Sequence, residues 1–577
     1  MNLRPHTTRL HFVGRTAVSF LLISCVGAAQ RSGNDLGAPQ EGQYRIDLTH
    51  YFSTPEAEAQ SRGALLRDAE AFVSSATPTT AEGTLGWLMQ YNALLEGLER
   101  HDIYVYLRAE ENRDDRDDAK ADGDLGSLEG RLADRLVRAV HQLGSRPIST
   151  LIRDPSLAPY RYLLTSALDR AQHLPGALEA GTTDIDVTPV VEAASHYKAL
   201  QRLPGPIGDH QDAYAALLVS VVAARNGAAR RRGFSNAEEA SYFDKALTGR
   251  SVDRTLATVR ASASYASYRR VAARAPKPGF TPSAVAVADA IPIILAAEQQ
   301  VGFEYANAYA ALLDAGSRRL EICTTAQCDA TGFSVGFAGA QSAVFYSGYD
   351  GGVNAMRALA HESGHAVHRE FMNSNQPIAA YNRGPHFMFE SFAIFNELLF
   401  VDYLYKTAPN IEQRAYYLNM FLNDAAFQVF GSAAETEIES AIYRGVDGRS
   451  LNAAADFNAL ASNVWSRYDP SAAKNPDTAL SWARNRLFFT DPLYDVNYLY
   501  AGLLAEKYFV EFQRDPKTFS QQYVTLLKNG FNETPAVLEK RFLGIDLNDE
   551  AGLVANASAL IDANTTVLSA SYGSSKR

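Results

Sequence analysis

Cysteine is nearly missing from this chain: three in 577 residues, at Cys25, Cys323 and Cys328. That excludes a disulfide-built scaffold, so an apolar core must supply the stability. No cysteine sits in a recognisable nucleophile context, which argues against a cysteine protease. Positive charge is also short, with 54 Lys+Arg against 65 Asp+Glu and a net charge of -11. Nucleic-acid binding is therefore not expected, since it needs a basic patch or stripe. Long apolar runs are missing too. Ala17 to Ile23 is too short to span a bilayer, and Ala284 to Ala297 is broken by Asp289 and Pro292. No fixed-period repeat is present, which disfavours a solenoid.

What is present has a globular balance: 46% hydrophobic, 21% charged and 10% aromatic residues. The length suggests two to four domains or one large helical body. Residues 1–29 read as a signal peptide. Arg4, Arg9 and Arg15 precede the short apolar run, and small residues follow it. Leu22-Ile23-Ser24-Cys25 resembles a lipobox, so Cys25 is a candidate lipidation site, with simple cleavage near Ala29 as the alternative. The expectation is an exported protein, periplasmic or anchored to the outer membrane of a bacterium, touching membrane only through a lipid on Cys25. Residues 30–45 read as a flexible tether. In an oxidising compartment Cys323 and Cys328 are expected to pair locally.

Apolar residues recur at three- and four-residue spacing through 57–74, 85–107 and 128–143. Residues 46–204 are accordingly expected to form an N-terminal helical lobe. The charged stretch Arg108 to Asp124 reads as a solvated loop or helix end. Residues 205–560 are expected to form the catalytic region. Within it the texture changes near Arg318, where Leu320–Cys323 and Ser342–Ser347 read as short strands between Gly-rich turns. An edge strand there suits an extended peptide. A helix is expected from Gly352 to about Met372 and another over 388–405. Residues 561–577 read as a disordered tail.

The chemistry concentrates in His361-Glu362-Ser363-Gly364-His365. Two histidines four apart on a helix stack one turn from each other, so both imidazoles reach one Zn²⁺. Glu362 lies beside them, placed to act on a zinc-bound water. A catalytic zinc needs a third protein ligand and an open position. Glu390 is the best candidate, because a carboxylate in its largely apolar helix is costly to bury without a partner. Twenty-four residues separate it from His365, with Pro377, Gly384 and Pro385 between them, which suits a return antiparallel to the first helix. His368 suits packing or support of the metal set, and Asn396 and Glu397 are candidates for holding a histidine's other nitrogen.

These residues resemble the thimet oligopeptidase and oligoendopeptidase F metallopeptidases. Leu359 to His368 is similar to that family's metal signature, and Glu390-Ser-Phe-Ala-Ile-Phe-Asn-Glu397 to its third-ligand helix. Ala343 to Tyr349 resembles its substrate-side strand, and Leu493 to Tyr498 its downstream tyrosine motif. The resemblance covers roughly residues 205 to 555. It implies a mainly α, two-lobed helical metallopeptidase with a deep channel and a small β-sheet beside the zinc helix. It implies one zinc ion held by His361, His365 and Glu390, with Glu362 as general acid/base. It implies that Tyr494 or Tyr498 donates to the oxyanion, and that short peptides are the substrates. Tyr500 is a further phenol in the same stretch. Phe489 departs from the pattern, since many members carry His five residues before the first tyrosine; slower turnover or altered specificity would follow. Two other readings are a carboxydipeptidase of angiotensin-converting type and a non-catalytic surface protein that binds zinc or peptides.

Overall fold

The computed structural model describes residues 43–111, 116–174, 188–276, 280–323, 332–472 and 475–574. The expected signal peptide, Cys25, most of the tether and Cys328 lie outside the described residues. Two compact units divide the chain. One takes Met1–Gln172, Pro282–Gly384 and Lys517–Glu533. The other takes His173–Thr281, Pro385–Pro516 and Thr534–Arg577. This interleaving differs from the expected contiguous division near residue 204. Among the described residues, no helix is long and apolar enough to cross a membrane.

In the first unit, long helices over Pro55–Ser74, Ala81–Glu111 and Arg116–Leu143 pack together. Thr54 caps the first by accepting from the Ala57 N–H at 3.1 Å, a cap of about 1 kcal/mol. The described part of the charged stretch Arg108 to Asp124, expected as a solvated loop or helix end, lies at the end of the second helix and the start of the third. Ala121, Leu125, Leu128 and Leu132 are buried at helical spacing beneath its acids, so the third helix is ordered by its apolar stripe.

The same unit holds the sheet, in the order β1-β3-β2, with β1 (Leu320–Cys323), β2 (Gly332–Phe337) and β3 (Ala340–Ser347). β1 runs parallel to β3 and β2 antiparallel to it. Ala338 and Gly339 close a tight hairpin, Gly339 supplying at φ +76° the positive φ that a type II turn needs at its second central residue. Gly336 marks a bulge; a Cβ there would lie 2.5 Å from Ser342 Oγ. Cys323 is disulfide-bonded at the end of β1. Helix α1 (Val353–Asn375) packs on β2 and β3. Arg319 ties the two layers, donating to the Ser342 carbonyl at 2.6 Å and pairing with Glu370 at 2.7 Å.

The second unit centres on helix α2 (His386–Thr407), whose residues from Phe387 to Asp402 are all buried. A helix apolar on every side belongs inside a protein. It packs along α4 (Asp495–Arg514). Before α4 comes α3 (Ser432–Asp447), entered through one π-helical turn at Phe427–Gly431. Gly502 of α4 meets that turn so closely that a Cβ would lie 2.9 Å from the Gln428 backbone. The expected disordered tail is a correction: α5 (Glu550–Ser574) is a helix. Leu553, Val554, Ala557, Ile561 and Leu568 are buried along it, and its polar run at Asn564 to Thr566 hid that stripe from the sequence.

Candidate metal centre

Within α1, the His361 and His365 rings stand 4.7 Å apart at 84° to each other, as helical spacing of four dictates. Glu362 lies between them in sequence and is fully buried. Its surroundings are built by the sheet. Gly332, the first residue of β2, touches it so closely that a Cβ would lie 3.3 Å from Glu362 Oε1 and 2.9 Å from the Tyr346 ring. Burial, then Asp350 and Glu362, push the Tyr346 phenol well above its usual value. Arg369, two turns along α1, adds positive charge within electrostatic reach of Glu362, and its Nη1 donates to the Gly336 carbonyl at 3.3 Å. Tyr309 supports the same helix by donating to the Ala360 carbonyl at 3.0 Å.

Within α2, Glu390 accepts a hydrogen bond at 2.8 Å from the Tyr494 hydroxyl at the start of α4. Tyr498 stacks edge-on against Tyr494 with centroids 5.3 Å apart. Burial and the nearby Glu390 carboxylate drive both phenols well above their usual range, so both are neutral O–H donors at ordinary pH. Tyr500 is elsewhere: its hydroxyl meets Thr255 Oγ1 at 3.2 Å in the core. Phe489 is also core, wedged against Tyr197 and Tyr214 at 4.8 and 5.9 Å. The aromatic cluster around it explains why an apolar ring fits that position.

His361, His365 and Glu390 form the metal-competent cluster found among the described residues. Each is at most 3% exposed, and their ligand atoms lie within 4.8 Å of one another. Donor atoms about 2.1 Å from a zinc ion on a tetrahedron stand roughly 3.4 Å apart. Two imidazole nitrogens and one carboxylate oxygen therefore fit zinc and leave a fourth position. His368 is outside this cluster; it packs edge-on to Phe531 at 5.9 Å, and burial, Arg369 and His365 hold it well below its usual pKa. Asn396 spends an amide proton on the Phe392 carbonyl of its own helix at 2.7 Å.

Residues 350–558 match the model of peptidase family M3. That region is similar to the catalogued members of that family. The matched region holds His361, His365 and Glu390. A curated relative, the plasmid-encoded oligoendopeptidase F of Lactococcus lactis subsp. cremoris, is 28% identical over 181 residues, 31% of this chain and 29% of that protein. The chain thus aligns with about a third of the length of the curated relatives it matches, from 29% to 37%. Solved structures extend the likeness of fold beyond the matched region. A candidate peptidase from Chlamydophila abortus superposes with a TM-score of 0.73 at 17% identity, over 92% of this chain and 98% of that one. Oligoendopeptidase-F from Enterococcus faecium gives 0.60 at 16% identity, over 88% and 98%.

Four participants escaped the reading of the sequence. Gly332 and Arg369 are revealed only by strand and helix packing. His386 packs against Tyr494 with ring centroids 5.5 Å apart and tilted by 60°, and its only sequence signal is a place one helical turn before Glu390. The fourth is Glu439, which accepts from the Leu493 N–H at 2.6 Å just before Tyr494.

Proposed function

We propose that this protein is a zinc-dependent endopeptidase that hydrolyses short peptides. The observation that carries the reading is the buried His361–His365–Glu390 cluster with Glu362 beside the first histidine, in the region that matches peptidase family M3. His361, His365 and Glu390 would hold the metal. When bound, zinc supplies Lewis acidity, acidifying a water and polarising a carbonyl.

The residues of the chain do the rest. Glu362 takes a proton from the attacking water and returns it to the leaving amine. Its carboxylate is fully buried, which screens that proton from exchange with bulk solvent. Gly332, by having no side chain, leaves Glu362 its room. The neutral phenols of Tyr494 and Tyr498 are suited to donate to the oxygen that gains charge as the amide carbon becomes tetrahedral. Tyr494 is oriented for this by Glu390 and His386. Export, with a lipid on Cys25, belongs to the same proposal and rests on the N-terminal sequence alone.

A digest of a mixed peptide library, with and without chelator and read by mass spectrometry, tests the reading. Chelator-sensitive internal cleavage of short peptides is expected. Release of C-terminal dipeptides alone would instead favour the carboxydipeptidase reading, and absence of cleavage would leave a binding protein.

A further inference from the structure

We infer that Glu439 is a positioning residue for Tyr494: by holding the Leu493 N–H it fixes a left-handed turn that aims the phenol at Glu390. The kinetic part of this inference rests on the peptidase reading above.

Leu493 has φ +62°, a conformation that side-chain-bearing residues rarely adopt. Its side chain is buried, so the leucine is kept for packing while its backbone is bent against preference. Something must hold it there. Glu439, on α3, accepts from the Leu493 N–H at 2.6 Å. On the other side of Tyr494, Asp495 accepts from Asn485 Nδ2 at 2.8 Å, and Asn485 in turn accepts from the Leu487 N–H at 3.0 Å. The Tyr494 carbonyl receives the Asn497 backbone N–H at 2.7 Å and its side-chain amide at 3.0 Å. The tyrosine is thus fixed from both flanks before its hydroxyl reaches Glu390.

The cost of this arrangement argues that it serves the site. Glu439 lies one helical turn from Glu435, and both are within electrostatic reach of Asp495. Burial, then the nearby Asp495 carboxylate, raises the proton affinity of Glu435 and Glu439, and burial raises Asp495 itself to about 7 against the lowering effect of its Asn485 hydrogen bond. Arg225 and Lys245 supply opposing charge, and burial lowers Lys245 itself to about 8. A glycine at 493 would make the same turn with no carboxylate and no like-charge cluster. A leucine held by a buried acid gives a turn with fewer alternatives, which suits a donor whose angle matters.

The test is a double-mutant cycle of E439A and L493G, with E439Q as the conservative variant, read by steady-state kinetics and by amide exchange over residues 485–496. E439A is expected to lower kcat by about 10- to 100-fold with KM within about twofold, the signature of a misplaced transition-state donor. E439Q keeps an acceptor for the Leu493 N–H and is expected to recover most of that loss. In the L493G background, where the turn needs no restraint, E439A is expected to cost less than about threefold. Exchange at Leu493 and Tyr494 should speed up in E439A and not in E439Q. Equal losses from E439A in both backgrounds would reduce Glu439 to a purely structural acid. Unchanged exchange in E439A would overturn the inference whether or not the enzyme cleaves peptides. Absence of cleavage by the wild type would instead defeat the peptidase reading, leaving the exchange result to decide this one. Should E439A not fold, E439Q against E439L in the same cycle asks the same question.

Discussion

The Tyr494 hydroxyl donates a 2.8 Å hydrogen bond to Glu390 Oε1, joining a phenol at the start of one helix to the carboxylate of the metal cluster on another. Carboxylates that bind metals are usually held by such partners, and losing one costs about 10- to 100-fold in metal affinity or activity. Y494F keeps the ring against His386 and removes only the donor. Its kcat at saturating zinc is expected to fall by at least about 10-fold, with weaker zinc retention in a chelator competition. A wild-type kcat in Y494F would remove Tyr494 from the site. Y498F, which breaks no bond to Glu390 seen here, is expected to affect kcat and leave zinc retention alone.

Glu362 is assigned proton transfer and no metal bond. E362Q preserves its size and removes its basicity. Proton transfer by a positioned side chain is worth about 10²- to 10⁴-fold, so kcat should fall by that much while one zinc per chain remains by elemental analysis. H361A should instead lose the metal. An active E362Q, or one that loses zinc as H361A does, would contradict the division of roles.

Much of this was legible because helix geometry is local. Four-residue spacing alone brings His361 and His365 together, and the apolar stretch around Glu390 marks a carboxylate that needs a partner. The strands β1 and β3 were likewise legible from their composition and flanking glycines. Residues whose roles come from distant partners were not. Nothing in the spacing of Tyr494, Tyr498 and Tyr500 says that the third faces Thr255 and the first faces Glu390. Gly332 reads as an ordinary turn glycine until the Glu362 side chain is placed against it. The two interleaved units escaped notice because composition stays uniform where the chain passes between them, for example at Gln172 and His173. The C-terminal helix was missed because polar residues alternate with the few apolar ones that anchor it.

Gly332 gives a sharp steric prediction. A Cβ there would lie 2.9 Å from the Tyr346 ring and 3.2 Å from Glu362 Cγ. The Tyr346 ring would have to shift, and Glu362, the next contact, would have to give by a few tenths of an ångström as well. A displacement of the general base by a few tenths of an ångström to 1 Å costs up to about 100-fold. G332A is therefore expected to bind zinc normally and to cleave peptides about 10- to 100-fold more slowly, with circular dichroism unchanged. Wild-type kinetics in G332A would mean that Glu362 has more freedom than its contacts indicate.

Glu539 makes the stability of the fold depend on pH. It is fully buried in the second unit and accepts from the Tyr508 hydroxyl at 2.5 Å. Burial raises its pKa to about 8 from 4.5. Because the folded-state value is the higher one, the native protein keeps a proton here that the unfolded chain releases between pH 4.5 and 8. The protonated acid's contribution is complete below pH 4.5 and is lost as pH rises through about 8. A shift of this size corresponds to a few kcal/mol, on the order of 3–5, between the two ends of that window. E539Q cannot ionise and still accepts from Tyr508. Its melting temperature is expected to decline less than the wild type's between pH 5 and 8. Some slope should persist in E539Q, because Glu298 and Glu506 are also pushed up by burial and act with the same sign. Parallel curves for the two proteins would mean that Glu539 is ionised in the native state at neutral pH.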